Sequence, residues 1–207
     1  MLCVGGRMNV RSFCGFLIGM LLLLTSVSVL AGPCDTILLI VDMQVDPFGL
    51  GSGRVVNVFS QPILDSVEAI VARVRATEIP IIYSSHISGS MQDPETVPFP
   101  ASITPRDSDR VLVRTDHDPM TASLQALMEE EGFTRVIICG LYSTHCVDIA
   151  VCNASDLGYD VIVVTEGHGD VPENLTQASA RQYQWARLPN VAVVRSANLD
   201  LDSLKTP

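Results

Sequence analysis

The sequence predicts an α/β fold in three layers: a six-stranded, mainly parallel sheet with helices on both faces. Two observations carry that expectation. From Thr36 onward, short runs rich in Val and Ile alternate with longer amphipathic stretches, the pattern of successive βαβ units. The runs are also continuously apolar rather than alternating, which suits strands buried on both faces. They are ILLIV (37–41), PIIYS (80–84), RVLVR (110–114), RVIIC (135–139), DVIVV (160–164) and VAVV (191–194). Helices fit between them at Pro62–Thr77, Thr121–Glu131, Thr144–Leu157 and Pro172–Arg187. Asp118-Pro119 opens the second helix, Gly132 closes it, and Gly158 closes the third. Between Ser85 and Asp109 the chain carries Pro94, Pro98, Pro100 and Pro105 without a helical period, so a long loop follows the second strand.

The 207 residues make one domain of ordinary size. Hydrophobic residues make up 47% of the chain and charged residues 17%, which excludes a disordered chain or a charged coiled coil. At the N-terminus, Arg7 and Arg11 precede an apolar run from Phe13 to Leu30 that ends in small residues. Residues 1–31 read as a secretory signal peptide cleaved after Ala31, so that the chain is secreted or periplasmic. An uncleaved signal anchor is the rival reading, because the run is close to the roughly 20 residues that span a bilayer. Without residues 1–31 the domain of residues 32–207 keeps 11 basic and 23 acidic residues, a net charge of −12. That balance disfavours nucleic acid as a partner, and nothing but the leader points to a membrane. Of six cysteines, Cys34, Cys139, Cys146 and Cys152 remain after cleavage, with no CxxC pair. Their spacing matches no structural zinc site.

In an open parallel sheet of this Rossmann-like kind, ligands bind beyond the carboxyl ends of the strands. The segments there are Asp42, Ser84 to His86, Arg114 to His117, Gly140 to Cys146 and Glu166 to His168, which together hold all four histidines. Cys146 falls in the first turn of the third helix, where unpaired N–H groups lower a thiol pKa and can receive an oxyanion. The competing reading is a small buried residue that packs helix against sheet. Cys139 and Cys152 read as core. Asp42 directly follows the first strand; it suits a general base, or else a turn-capping aspartate.

The segments ILLIVDMQVDPF, VLVRTDHDP and RVIICGLYSTHCVDIAVCNASDLGYDVIVVTEG resemble the isochorismatase-like cysteine hydrolases, a family that includes nicotinamidases and N-carbamoylsarcosine amidohydrolase. The resemblance spans about residues 36–197, and its most specific elements are DMQ after the first strand and Gly140 to Val147. It implies that Asp42 is the general base and acid and Cys146 the nucleophile of a thioester mechanism. It also implies a non-proline cis peptide between Tyr142 and Ser143, with backbone amides of Ser143 and Cys146 as the oxyanion hole. Phe48, Tyr142 and His86 are the expected substrate contacts, with Phe99 on the long loop beside them. Members of the family often form dimers or tetramers, so the resemblance leaves a homo-oligomer open.

The chain departs from the family at two places. Where the triad lysine belongs stands Arg114, and the only lysine is Lys205. Arginine supplies permanent charge but does not give up a proton at useful pH. An enzyme with altered chemistry, a specialised hydrolase and a catalytically impaired small-molecule or partner-binding protein all fit that replacement. The histidine and aspartate set that holds a metal in nicotinamidases is also missing, with His86 standing alone, so no metal and no cofactor is expected. His117 reads as a loop residue paired with Asp116 and Asp118, and His145 as a residue directed away from Cys146, since neighbours on a helix diverge by about 100°. The expectation is therefore an exported, metal-independent hydrolase cleaving a C–N bond of a small amide, imide or carbamoyl compound. A redox role is a further rival, suggested by three cysteines between residues 139 and 152.

Overall fold

The computed structural model describes residues 34–45, 61–87 and 99–204. The leader, Phe48 and most of the loop after the second strand lie outside the described residues. Six strands form one parallel sheet: β1 (Thr36–Val41), β2 (Ile81–His86), β3 (Arg110–Arg114), β4 (Arg135–Leu141), β5 (Asp160–Gly169) and β6 (Val191–Val194). Their order is β3-β2-β1-β4-β5-β6. β1 is thus central, and the direction of winding reverses between β1 and β4, the crevice where such sheets bind ligands.

The apolar runs are continuous because both faces of the sheet are covered. Leu38, Ile40, Ile81, Tyr83, Ile137 and Cys139 point to one face, where they meet Leu64, Val67, Ile70, Val71 and Val74 of α1 (Gln61–Val74). Leu199, Leu201 and Leu204 complete that core. Ile37, Leu39, Val41, Val136 and Ile138 point to the other face. There they pack on α2 (Ala122–Glu131), α3 (Cys146–Asp156) and α4 (Leu175–Trp185), with Trp185 fully enclosed.

The helix ends follow local chemistry. Thr121 Oγ1 accepts the Leu124 amide at 3.2 Å to cap α2. Gly132 closes that helix in the left-handed region at φ +76°. The last predicted helix divides: Pro172–Asn174 forms a 3-10 turn, and α4 proper starts at Leu175. Two strands also run further than their apolar cores. β4 continues to Leu141, and β5 continues to Gly169 across a register irregularity opposite Ile138 and Gly140. The extension carries His168 beside Gly140 and Gly169 beside Leu141, so β5 reaches under the loop that precedes α3.

Gly140 is required where it stands. Its φ is +128°, and a Cβ there would lie 2.0 Å from the Val41 carbonyl oxygen. The close approach of β4 to the end of β1 brings the two segments that follow these strands together. The non-proline cis peptide lies between Leu141 and Tyr142, one residue earlier than expected.

Candidate active site

Three strand ends converge at the switch point. Asp42 leaves β1 with φ +51°, a left-handed conformation that aspartate tolerates better than most residues. Arg114 ends β3, two strands away from β1, a gap of about 9.5 Å that a long side chain can cross. Its Nη2 donates to both carboxylate oxygens of Asp42, at 2.8 and 2.7 Å. On the way Nε donates to Ser84 Oγ of β2 at 3.0 Å, and Nη1 donates to the Asp116 carbonyl. All three guanidinium nitrogens are engaged and the side chain is 2% exposed. A lysine ammonium has no such fork, so Arg114 sits in surroundings suited to arginine.

Asp42 is further fixed by the His86 amide, which donates to Oδ1 at 2.9 Å. Gln44, wholly buried, clasps the same backbone: its Oε1 accepts the His86 N–H at 3.0 Å and its Nε2 donates to the His86 carbonyl at 3.1 Å. The DMQ segment thus places its aspartate through its glutamine.

Cys146 opens α3 and is 4% exposed. Its thiol pKa is pushed up to about 12, first by burial, then by the charge and hydrogen bonding of Asp42, with Arg114 opposing. This reverses the expectation of a lowered pKa from the helix terminus. Desolvation and a neighbouring carboxylate both favour the neutral thiol. At rest the Cys146 side chain is a protonated thiol beside the Asp42 carboxylate.

The expected oxyanion donors part company. The Cys146 amide has no hydrogen-bond acceptor among the described residues. The Ser143 amide donates to the Gly169 carbonyl at 2.8 Å, because β4–β5 pairing continues past Leu141, so it is not directed into the cleft. Ser143 is instead a structural anchor. Its Oγ meets His168 Nδ1 at 2.8 Å, and His168 Nε2 meets Gln182 Nε2 at 3.1 Å. The Gln182 amide donates to Nε2, so Nδ1 carries the proton and donates to Ser143. Burial drops the His168 pKa to about 4, which keeps the ring neutral in that role. Asp170 holds the other side of the loop, accepting from the Thr144 amide at 2.8 Å and hydroxyl at 2.7 Å.

The histidines at the mouth also differ from expectation. His145 is the N-cap residue of α3, with φ −138° and ψ −106°. Its backbone is not helical, so the 100° divergence does not apply, and it lies on the Cys146 side. His117 Nδ1 is 4.0 Å from Cys146 Sγ, and the His117 ring lies between those of His86 and His145, at 4.7 and 4.4 Å. The spacing of residues along the chain shows no metal-binding set, yet donor atoms of His117, His145 and Cys146 lie within 4.8 Å of one another. Of the expected substrate contacts, Tyr142 is half-buried against the α1-side core and the His86 ring meets the Thr115 carbonyl at 3.3 Å. Phe99 packs edge-on against Tyr83, with centroids 5.0 Å apart, a structural rather than a cleft position.

Cys139 is separated from Cys146. Cys139 faces the α1-side core while Cys146 belongs to the opposite one. Cys34, Cys139, Cys146 and Cys152 are all free thiols. The sheet between the two cores removes the Cys139–Cys146 pair from the redox reading.

A buried thiol, a carboxylate and a cation at the switch point of a parallel sheet define a Rossmann-like α/β domain with a cysteine-centred site. The chain belongs to the isochorismatase family: the isochorismatase domain model matches residues 36–198. Among curated proteins it is 26% identical over 176 residues to the streptothricin hydrolase of Streptomyces noursei, covering 77% of this chain and 62% of that one. The fold matches a cysteine hydrolase from Pseudomonas syringae with a TM-score of 0.68, at 16% identity, over 81% of this chain and 92% of that one. It also matches N-carbamoylsarcosine amidase from Thermoplasma acidophilum with a TM-score of 0.65, at 20% identity, over 80% and 98% of the two chains. Among the described residues no helix is long and apolar enough to cross a membrane.

Proposed function

We propose that the protein is an exported cysteine hydrolase that cleaves a C–N bond of a small amide, imide or carbamoyl compound through a thioester. The observation that carries this reading is the buried Arg114–Asp42 pair, whose carboxylate also acts on the Cys146 thiol. As Cys146 Sγ attacks the carbonyl carbon, Asp42 takes the thiol proton, and the Cys146 amide faces the developing oxyanion. Collapse of the intermediate breaks the C–N bond, and Asp42 returns the proton to the departing nitrogen. Water, deprotonated by the same carboxylate, then cleaves the thioester and releases the acid with Cys146 restored. Arg114 holds Asp42 in place and supplies the positive charge that a lysine gives elsewhere in the family. The family's hydrolase and amidase relatives support the reaction class, and the leader supports export.

The test is ammonia or amine release from a panel of small amides, cyclic imides and N-carbamoyl compounds, with intact-protein mass read during turnover. Wild type releases product and accumulates an acyl adduct on the peptide carrying Cys146, while Cys146→Ser does neither. Equal turnover by Cys146→Ser would sink the mechanism. Saturable binding of panel compounds without turnover would favour the binding protein, for which the replacement of lysine by Arg114 speaks.

A further inference from the structure

The mouth of the cleft holds two imidazoles, those of His117 and His145, that the proposed hydrolysis does not use, beside the Cys146 sulfur that it does. His117 follows β3, His145 precedes α3 and Cys146 opens it. One donor atom from each lies within 4.8 Å of the other two. The imidazoles are exposed and the sulfur is buried, so two surface side chains converge on a fixed third ligand. His86 backs His117 at 4.7 Å and has its own ring nitrogen on the Thr115 carbonyl, at 3.3 Å. Nearby carboxylates are engaged elsewhere: Asp118 accepts from Asn153 and the Met120 amide, and Asp42 accepts from Arg114.

Two imidazoles and one thiolate are a donor set for a borderline-soft cation and a poor one for Mg²⁺ or Ca²⁺, which take oxygen ligands. With Zn–S near 2.3 Å and Zn–N near 2.0–2.1 Å, tetrahedral coordination puts sulfur and nitrogen about 3.5 Å apart. The observed separation of His117 Nδ1 and Cys146 Sγ is 4.0 Å. Closing that gap of about 0.5 Å, and drawing in the His145 donor from within 4.8 Å, calls for movement of the two exposed rings toward the buried sulfur.

We propose that His117, His145 and Cys146 form a site for one Zn²⁺ ion, with the fourth coordination position open to water. Coordination replaces the thiol proton, which passes to solvent, by a sulfur–zinc bond. The site stands independently of hydrolysis. Its consequence for activity rests on the proposed hydrolase reading: zinc occupies the nucleophile, so the ion is an inhibitor and not a cofactor.

The metal-free chain is titrated with cobalt chloride and read for a thiolate-to-cobalt absorption band, and zinc affinity is measured against a chromophoric chelator. One equivalent is expected, with the band lost in Cys146→Ser and zinc affinity lowered at least about tenfold in His117→Ala and in His145→Ala. Both histidines are exposed, so those variants report on the site without disturbing the core. Unchanged affinity in the two histidine variants, or a band that survives Cys146→Ser and disappears in Cys152→Ser, would overturn the proposal. Hydrolysis that continues at saturating zinc would overturn the inhibitory role. Zinc protection of Cys146 from alkylation in a protein that hydrolyses nothing would refute the hydrolase and leave the site standing.

Discussion

Replacing Asp42 by Asn should make Cys146 more reactive toward an alkylating reagent while abolishing hydrolysis. With its pKa raised from 9.0 to about 12, the thiol is ionised in about one molecule in 10⁴ at pH 8, against about one in ten for a thiol left at 9.0. Asp42 raises that pKa by charge and by hydrogen bonding, and Arg114 lowers it. Asp42→Asn removes the first influence and leaves the second unopposed. Burial, the largest cause, persists, so the pKa falls without reaching the ordinary range. Each unit of fall multiplies the thiolate at pH 8 about tenfold. The assay is iodoacetamide labelling across pH with EDTA present, read by mass on the Cys146 peptide. The midpoint of the rate profile reports ionisation separately from access. Amide hydrolysis should drop by roughly 10²–10⁴ at the same time, the scale of a lost general base. Labelling that slows, or a midpoint that stays in place, would refute the view that Asp42 keeps the sulfur protonated at rest.

Three further outcomes follow from the same geometry. Arg114→Met should cost about 3–5 kcal/mol in urea unfolding, because it leaves a largely buried carboxylate and Ser84 without their cation; Asp42→Asn/Arg114→Met should recover part of that loss, and strict additivity would mean that the pair is not coupled. His168 falls from 6.5 to about 4 on folding, so its contribution is complete above about pH 6.5 and is lost as pH drops toward 4, by about 3 kcal/mol in all. His168→Asn should flatten that part of the urea-midpoint profile, and an unchanged profile would place the proton elsewhere. Gly140→Ala puts a Cβ 2.0 Å from a backbone oxygen, whereas Gly169→Ala meets the end of the Ile63 side chain at 1.9 Å. The second should cost about 1–3 kcal/mol and the first distinctly more in thermal unfolding, and the reverse order would contradict the packing of β4 on β1.

Much of this architecture is legible in the residues themselves. Strands covered on both faces announce themselves as unbroken apolar runs, and the rule that ligands bind beyond strand ends brings Asp42, Arg114 and Cys146 together from distant positions. The extension of β5 is not legible, since Thr165 to Gly169 carry no apolar run and pair only because β4 lies beside them. The line from Gln182 through His168 to Ser143 is likewise invisible, because buried polar chains have no period. His117 and His145 stand 28 positions apart and meet only once β3 and β4 end at the same cleft. The ionisation of Cys146 is hidden for a related reason: a helix terminus is a local feature, whereas burial and the carboxylate come from other parts of the fold.

The reversal of winding between β1 and β4 divides the chemistry along the chain. Everything that holds the Asp42 carboxylate, from Gln44 to Ser84 and Arg114, comes from residues before α2, while the Cys146 sulfur and the loop before it come from residues after α2. Neither half owns the whole of the proposed reaction. A polypeptide cut within the α2 connection would yield two fragments, one with Asp42 and no Cys146 and the other with Cys146 and no Asp42, so that under the proposed mechanism neither turns over alone. Restored turnover would then report that the halves have rejoined along the β1–β4 seam, which makes the protein a natural candidate for a two-piece reporter of association.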